Sequence, residues 1–563
     1  MTFEFEPSRP VRPAAAAEVE AVRPATRPEV DPASTFPQSV ASGGPTPTGV
    51  VLWTRVDPDA HEPGEPLFVE VAADESFADV RYEGVVDADV VTPAHDYTAK
   101  VDLDGELEAD SRYYYRFTYD GVSSRTGRCR TLPAPGSSPD RVRFGVLTCQ
   151  HYQNGYFGAY HHVAGEDVDF LVHLGDFIYE TAGEQYRGLG RDAYPDRRID
   201  LPSGHDVVWG LDDFRHLYRT YLSDRFLRAA LERHTLIRCW DDHAIANNRY
   251  WDYGADAPRA PSHPRGDDPE FVRQLTADGI QAWWEFTPAR VDYDPDADHL
   301  HDAFRLWRRF EFGDLVTLLA TDERLFRTKP LCEQHSLLQW LPFCSASVDP
   351  ERTMLGAEQR EWFLDEVSDS RSVWTVWGNE VLTLPLHVGA GPLSVYPKQD
   401  AWDGYGAERE RIMYEVAYGD VRNFVTLTGD MHSYLAGYQR LEYPDPIRQL
   451  FVDPRTDRSR RVGVELMTPA ITSVNVAEAV GVDEGWLGEV TEPLLSAAVR
   501  ALVPHVEFFD SHRWGYSIVE FTRDACTYRA YSVDKSVDAP DAERSLLTTL
   551  RVPEGRVEIE TVE

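Results

Sequence analysis

Five short apolar runs in this chain of 563 residues each close on a side chain that can bind a metal ion, and few folds accommodate that recurrence. Phe144-Gly145-Val146-Leu147-Thr148 runs into Cys149, and Phe170 to Gly175 runs into Asp176, with Tyr179 one short step beyond. Thr235 to Trp240 ends in Asp241-Asp242-His243, Val373 to Trp377 in Gly378-Asn379, and Phe424 to Gly429 in Asp430-Met431-His432. Short apolar runs closed by glycine or polar residues predict buried strands, and the C-terminal edge of a strand layer is where α/β proteins gather their sites. Each closing residue has an ordinary reading taken singly: Gly-Asp as a turn, Tyr179 as core, Asp-Asp-His as a salt-bridged strand end, Asn379 as a turn residue, Cys149 as an inert buried thiol. Independent turn residues would not all be carboxylate, imidazole, phenol, amide and thiol at successive strand ends. The joint reading is one metal-dependent active site.

The pattern changes along the chain. Residues 1–34 are rich in Pro, Ala, Arg and Glu without apolar periodicity, as expected of a disordered or extended lead-in. From Phe36, short strand candidates separated by turns (Val50 to Trp53, Leu67 to Val71, Tyr97 to Val101, Tyr113 to Phe117) predict a β-sandwich of immunoglobulin-like size over 35–133. Thr131 to Pro139 reads as a linker. Beyond it strands alternate with helices over 140–535: Gly155 to Glu166 spaces the Cys149 and Asp176 strands as a right-handed βαβ unit, so both ends face the same way. Further helices carry Leu355, Trp362, Phe363 and Val367 on one face, and span Ala407 to Ala417. Long polar insertions follow Tyr179 and Asn248, where they would shape substrate access. Residues 536–563 are a C-terminal extension.

A formal net charge of −39 and a pI near 4.8 argue against a nucleic-acid backbone or an anionic membrane held by electrostatics. Lys100, Lys329, Lys398 and Lys535 are the only lysines among 56 bases. Such a surface repels itself in dilute buffer, and molar salt, with a Debye length of about 3 Å, screens it, which points to adaptation to high salt. No apolar run approaches transmembrane length. The N-terminus has no apolar signal core and no twin-arginine pair, so a cytoplasmic location is expected, or an extracellular one if an export segment has been removed. The six cysteines lack zinc-ribbon spacing; Cys332 and Cys344 are close enough to bridge in an oxidising compartment, and Cys239 reads as a small buried hydrophobe.

A family resemblance gathers these observations. Phe36-Pro37-Gln38-Ser39-Val40-Ala41-Ser42-Gly43 with Val51-Leu52-Trp53-Thr54-Arg55, Cys149-Gln150, Gly155-Tyr156-Phe157, His173 to Glu180, Trp240-Asp241-Asp242-His243 and Gly429-Asp430-Met431-His432-Ser433 resemble the PhoD-type alkaline phosphatases and phosphodiesterases. The likeness runs in order from about Phe36 to about Asp534. It implies an α/β fold: a calcineurin-like metallophosphoesterase α/β/β/α sandwich behind an N-terminal immunoglobulin-like β-sandwich. It further implies that Cys149, Asp176, Tyr179 and His432 surround a ferric ion. Asp176, Asp242, Asn379 and Asp430 would reach a second position, calcium or another divalent metal, with Asn247 a further ligand there. His243 sits where related phosphoesterases keep a proton donor. Ala244 departs from the family's usual glutamate after Asp-Asp-His, which removes a support for His243.

The function implied is hydrolysis of phosphate mono- or diesters, two cations clamping the phosphoryl oxygens and His243 protonating the leaving oxygen. Two rivals stand beside it: a phospholipase D-like phosphodiesterase of the same fold, and a non-catalytic binding or surface protein that kept the fold. Phosphate esters are the expected partners, and nothing in the sequence fixes an oligomeric state.

Overall fold

The computed structural model describes residues 12–13 (backbone only), 27–183, 185–186, 194–331, 349–386, 400–419, 421–443, 460–483 and 485–562, and the Cys332–Cys344 pairing lies outside them. Among the described residues two large sheets form the body. In the first, strands Arg141–Leu147, Phe170–His173 and Thr235–Arg238 run parallel, flanked by an antiparallel Gly515–Thr522. In the second, Val316–Ala320, Trp374–Gly378, Phe424–Thr428 and Arg461–Met467 are parallel in turn.

Alternation along these strands explains why the runs are apolar throughout. Phe144 and Val146, with Phe170, Val172 and Ile237, face Phe312, Leu318, Val376 and Val425 in a core shared by the two sheets. Leu147, Leu171 and Leu236 face the other way, onto helices Gly158–Gly165, Leu211–Leu222, Arg225–Arg233 and Pro269–Glu285. Strands buried on both faces cannot alternate with polar residues. Helices Gly356–Asp369 and Gly406–Tyr418 cover the outer face of the second sheet through Phe363, Val367, Ile412 and Val416. The layers are α/β/β/α.

The N-terminal β region is a sandwich with its own core, in which Val50, Leu52, Val69, Val71, Tyr115 and Phe117 are buried. One of its sheets holds Leu67–Ala72, Val80–Val86 and Arg112–Tyr119. The strands of the other, Val40–Thr46, Gly49–Arg55 and Thr98–Asp102, continue the first large sheet to ten strands, joined where Leu236 pairs with Gly43. A Cβ on Gly43 would lie 2.1 Å from the Pro288 carbonyl oxygen, so only glycine lets the two backbones meet. Trp53 Nε1 and Lys100 Nζ donate across the junction to the carbonyls of Glu285 and Trp284, each at 2.8 Å. At the opposite edge, Arg544–Pro553 and Glu560–Val562 pair onto Ala525–Val533 and extend the same sheet, so the segment read as an extension is part of the body. Among the described residues no helix is long and apolar enough to cross a membrane.

Candidate metal centre

The strand ends of both parallel groups meet at one edge. Cys149 N–H donates to the Gly175 carbonyl at 3.1 Å and Gln150 N–H to that of Asp176 at 3.0 Å, tying the first two ends together. Ile471 N–H donates to Thr148 O at 3.1 Å, bringing in the second sheet. A Cβ on Gly429 would lie 2.5 Å from Thr148 Oγ1, so this glycine is what permits the approach.

Four residues here hold left-handed backbone without being glycine: Cys149 (φ 54°), Asp176 (φ 52°), Asp430 (φ 63°) and His432 (φ 54°). That conformation costs about 1–3 kcal/mol per residue and persists only where surrounding structure imposes it. It turns each side chain off its strand and back toward a common point. One ligand atom each from Cys149, Asp176 and His432 lies within 4.8 Å of the others, and the same holds for Asp176, Asp242 and His243. Tyr179 Oη donates to Asp176 Oδ2 at 3.0 Å and stands 3.3 Å from His432 Nε2. His432 Nδ1 is 2.5 Å from the Val474 carbonyl oxygen; a carbonyl only accepts, so Nδ1 carries the proton and Nε2 faces the group.

Asp430 joins the group through Arg324, whose Nη2 is 3.1 Å from Asp430 Oδ1 and whose Nη1 is 3.2 Å from Asp242 Oδ2. Asn379 lies at the neighbouring strand end, its N–H on Leu427 O at 3.1 Å. Its amide is engaged with Val381 and Trp402, the indole donating to Oδ1 at 2.9 Å, rather than with a carboxylate of the group. Asn247 gives its backbone N–H to Glu180 Oε1 at 2.8 Å.

The electrostatics favour cations. Burial pushes Asp176 up to about 6, with Asp242 and Asp430 adding to the rise and His243 and Arg324 opposing it. Burial likewise holds the Cys149 thiol well above its usual range, and Asp176 reinforces this. Among the described residues Asp176 Oδ1 is buried with no hydrogen-bond partner. A thiol, a phenol, an imidazole and carboxylates that are costly to ionise together, with a carboxylate oxygen left unpaired, suit bound metal.

Glu180 is the residue that motif reading left without a role. Its Oε2 lies 2.5 Å from His243 Nδ1 and takes the support that Ala244 cannot give. Burial would push His243 down, but Glu180, Asp176 and Asp242 outweigh it and raise the imidazole to about 10. Its place directly after Tyr179 was the available signal. Arg324 and Asp241, paired at 1% and 0% side-chain exposure, were also missed as a unit.

Residues 144–530 match the family model of the PhoD-like phosphatase, and residues 22–133 match that of the PhoD-like phosphatase N-terminal domain. Alkaline phosphatase D of Bacillus subtilis (strain 168) is 30% identical over 487 residues, covering 85% of this chain and 74% of that protein. The solved structure of PhoD superposes with a TM-score of 0.78 at 27% identity, over 94% of this chain and 92% of that one. Fold, site and likeness together define a phosphoric ester hydrolase. The chain belongs to the PhoD-like phosphatase family.

Proposed function

We propose that the chain hydrolyses phosphate mono- or diesters at a two-cation centre. Iron(III) would be held by Cys149, Asp176, Tyr179 and His432, and calcium by Asp176, Asp242, Asn379 and Asp430. The observation that carries this reading is the convergence of Cys149, Asp176 and His432 within 4.8 Å, on left-handed backbone, with the Tyr179 hydroxyl against two of them. Thiolate, phenolate and imidazole suit a redox metal, and a mainly carboxylate and amide set suits calcium. Asp176 belongs to both groups, so it would serve both cations. The cations, when bound, supply Lewis-acid charge for the phosphoryl oxygens and acidify water.

The chain's own residues do the rest. Glu180 accepts the Nδ1 proton of His243, which fixes the ring and leaves Nε2 as the nitrogen that can give a proton to the departing oxygen. A general acid so placed contributes typically about 10²–10⁴-fold. The Tyr179 ring packs against that of His243, 4.1 Å between centroids, and the imidazole is buried. Cations also offset the charge of −39 that would repel a phosphate.

Elemental analysis of protein purified in high salt, followed by chelation and metal add-back while a monoester and a diester model substrate are assayed side by side, tests the reading. Stoichiometric iron, and activity lost and regained with metal, are expected. Tyr179→Phe should abolish a tyrosinate charge-transfer band. Protein free of iron at full turnover would overturn the proposal.

A further inference from the structure

Arg324 and Asp241 have no place in the ligand set proposed above, yet they lie at its centre. The guanidinium reaches three carboxylates with three different nitrogens: Nε pairs with Asp241 Oδ1, Nη1 stands 3.2 Å from Asp242 Oδ2, and Nη2 stands 3.1 Å from Asp430 Oδ1. Asp241 and Asp242 follow strand Thr235–Arg238, Arg324 follows Val316–Ala320, and Asp430 follows Phe424–Thr428. One planar side chain therefore ties strand ends from both sheets. Its own anchorage is firm: Arg324 N–H donates to Asp322 Oδ1 at 2.9 Å, an oxygen that also takes the Trp240 indole at 2.9 Å, and the Arg324 carbonyl accepts from Arg249 Nη1 at 3.0 Å.

The fork hydrogen-bonds one oxygen of Asp430 and stands in ion-pair contact with one of Asp242. Asp242 Oδ2 is doubly held, because the Asn248 N–H also donates to it at 2.6 Å. Where one oxygen of each carboxylate is held sets the rotation of the other. We infer that Arg324, anchored by Asp241, is a positioning residue for the oxygen-rich cation position: it sets the spacing and rotation of Asp242 and Asp430 and balances their charge before a cation arrives. This rests on the two-cation reading. A lysine would carry the same charge as a compact point and could not direct two hydrogen bonds and a third ion-pair contact in a fixed plane, so charge and geometry are separable.

The test compares wild type, Arg324→Lys, Arg324→Gln and Asp241→Asn, each checked by melting temperature and near-ultraviolet circular dichroism. Iron content, the visible tyrosinate band, calcium binding by equilibrium dialysis, and kcat and KM on a model phosphodiester are then measured. Iron and its band should stay in all four. Calcium should bind about 10–100-fold more weakly in both Arg324 variants, the range found when groups that orient metal ligands are removed. Their kcat should fall and recover partly in excess calcium, with KM little changed. Asp241→Asn should show the same signature at smaller size, and keeps the test open if an Arg324 variant does not fold. Wild-type calcium affinity in Arg324→Gln would overturn the inference; wild-type affinity in Arg324→Lys would show that charge alone acts and overturn the fork. Wild type that takes iron but no calcium would remove the two-cation reading itself, a result distinct from either.

Discussion

Left-handed backbone at non-glycine residues occurs in both the N-terminal sandwich and the catalytic body, at different kinds of place. In the sandwich, Phe77 (φ 57°), Asp110 (φ 53°) and Asp120 (φ 41°) sit in turns; Asp120 with Gly121 closes the hairpin between Arg112–Tyr119 and Val122–Ser123. There the conformation serves chain reversal, and the side chain is incidental. In the catalytic body, Cys149, Asp176, Asp430 and His432 leave buried strands and aim chemically active groups at one neighbourhood. The same local cost also falls on Asp256 and Asn423 of the catalytic body, away from the site, but four of its instances there gather at one place. Strain concentrated at buried candidate ligands points to function because nothing local favours it.

The largest effect expected is at Asp176. Asp176→Asn keeps the shape but removes charge from the one carboxylate common to both ligand groups, so metal content and turnover should fall together, by about 10²–10⁴-fold for the several kcal/mol a bound metal contributes. Full phosphatase turnover with Asn at 176 would end the bridging assignment. His432→Gly sharpens the comparison: compared metal-free, the fold should melt only slightly lower, since glycine accepts a φ of 54° and this offsets its greater unfolded freedom, while iron and activity are lost. A large drop in melting temperature would show that the position is structural.

Glu180→Gln comes next. Its Oε2 stands 2.5 Å from His243 Nδ1 and helps hold the ring charged, so kcat should fall by roughly 10–100-fold with bound metal unchanged. Metal loss in this variant would place Glu180 among the groups that hold the cations rather than behind the proton donor.

The strand ends were legible in the sequence because burial on both faces writes itself as an unbroken apolar run, and Cys149, Asp176, Asp242 and Asp430 each stand at or just beyond the end of one. Pairings between distant segments were not. His243 and Glu180 are 63 positions apart and Arg324 and Asp241 are 83, and a hydrogen bond across such a gap leaves no local periodicity. The same holds for architecture. A run such as Val50-Val51-Leu52-Trp53 predicts a strand, but which sheet its neighbour Val40–Thr46 extends depends on the meeting of Gly43 with Leu236.

That junction sets the next effect. Gly43→Ala places a methyl against the carbonyls of Pro288 and Leu236, at 2.1 and 2.7 Å before relaxation, and overpacking of this kind costs about 1–3 kcal/mol. Because the ten-stranded sheet runs through both regions, they should still unfold in one transition, shifted down, with kcat unchanged. A separate early transition of the sandwich would show that the shared sheet does not couple them.

The smallest effect is expected at Asp120, and it carries the comparison's control. Glycine there relieves a left-handed φ of 41°, worth about 1 kcal/mol for an L-residue and less for aspartate. Against that gain stand the greater freedom of glycine in the unfolded chain, about 0.4–1 kcal/mol, and loss of the exposed pair with Arg27 at 2.8 Å, a kind worth about 0–1 kcal/mol. The terms nearly cancel, so Asp120→Gly should shift stability by less than about 0.5 kcal/mol and leave kcat and metal content untouched. The substitution is chemically the same kind as His432→Gly, at a similar backbone angle. If it disturbed turnover as His432→Gly is expected to, left-handed backbone would carry no information about where the chemistry lies.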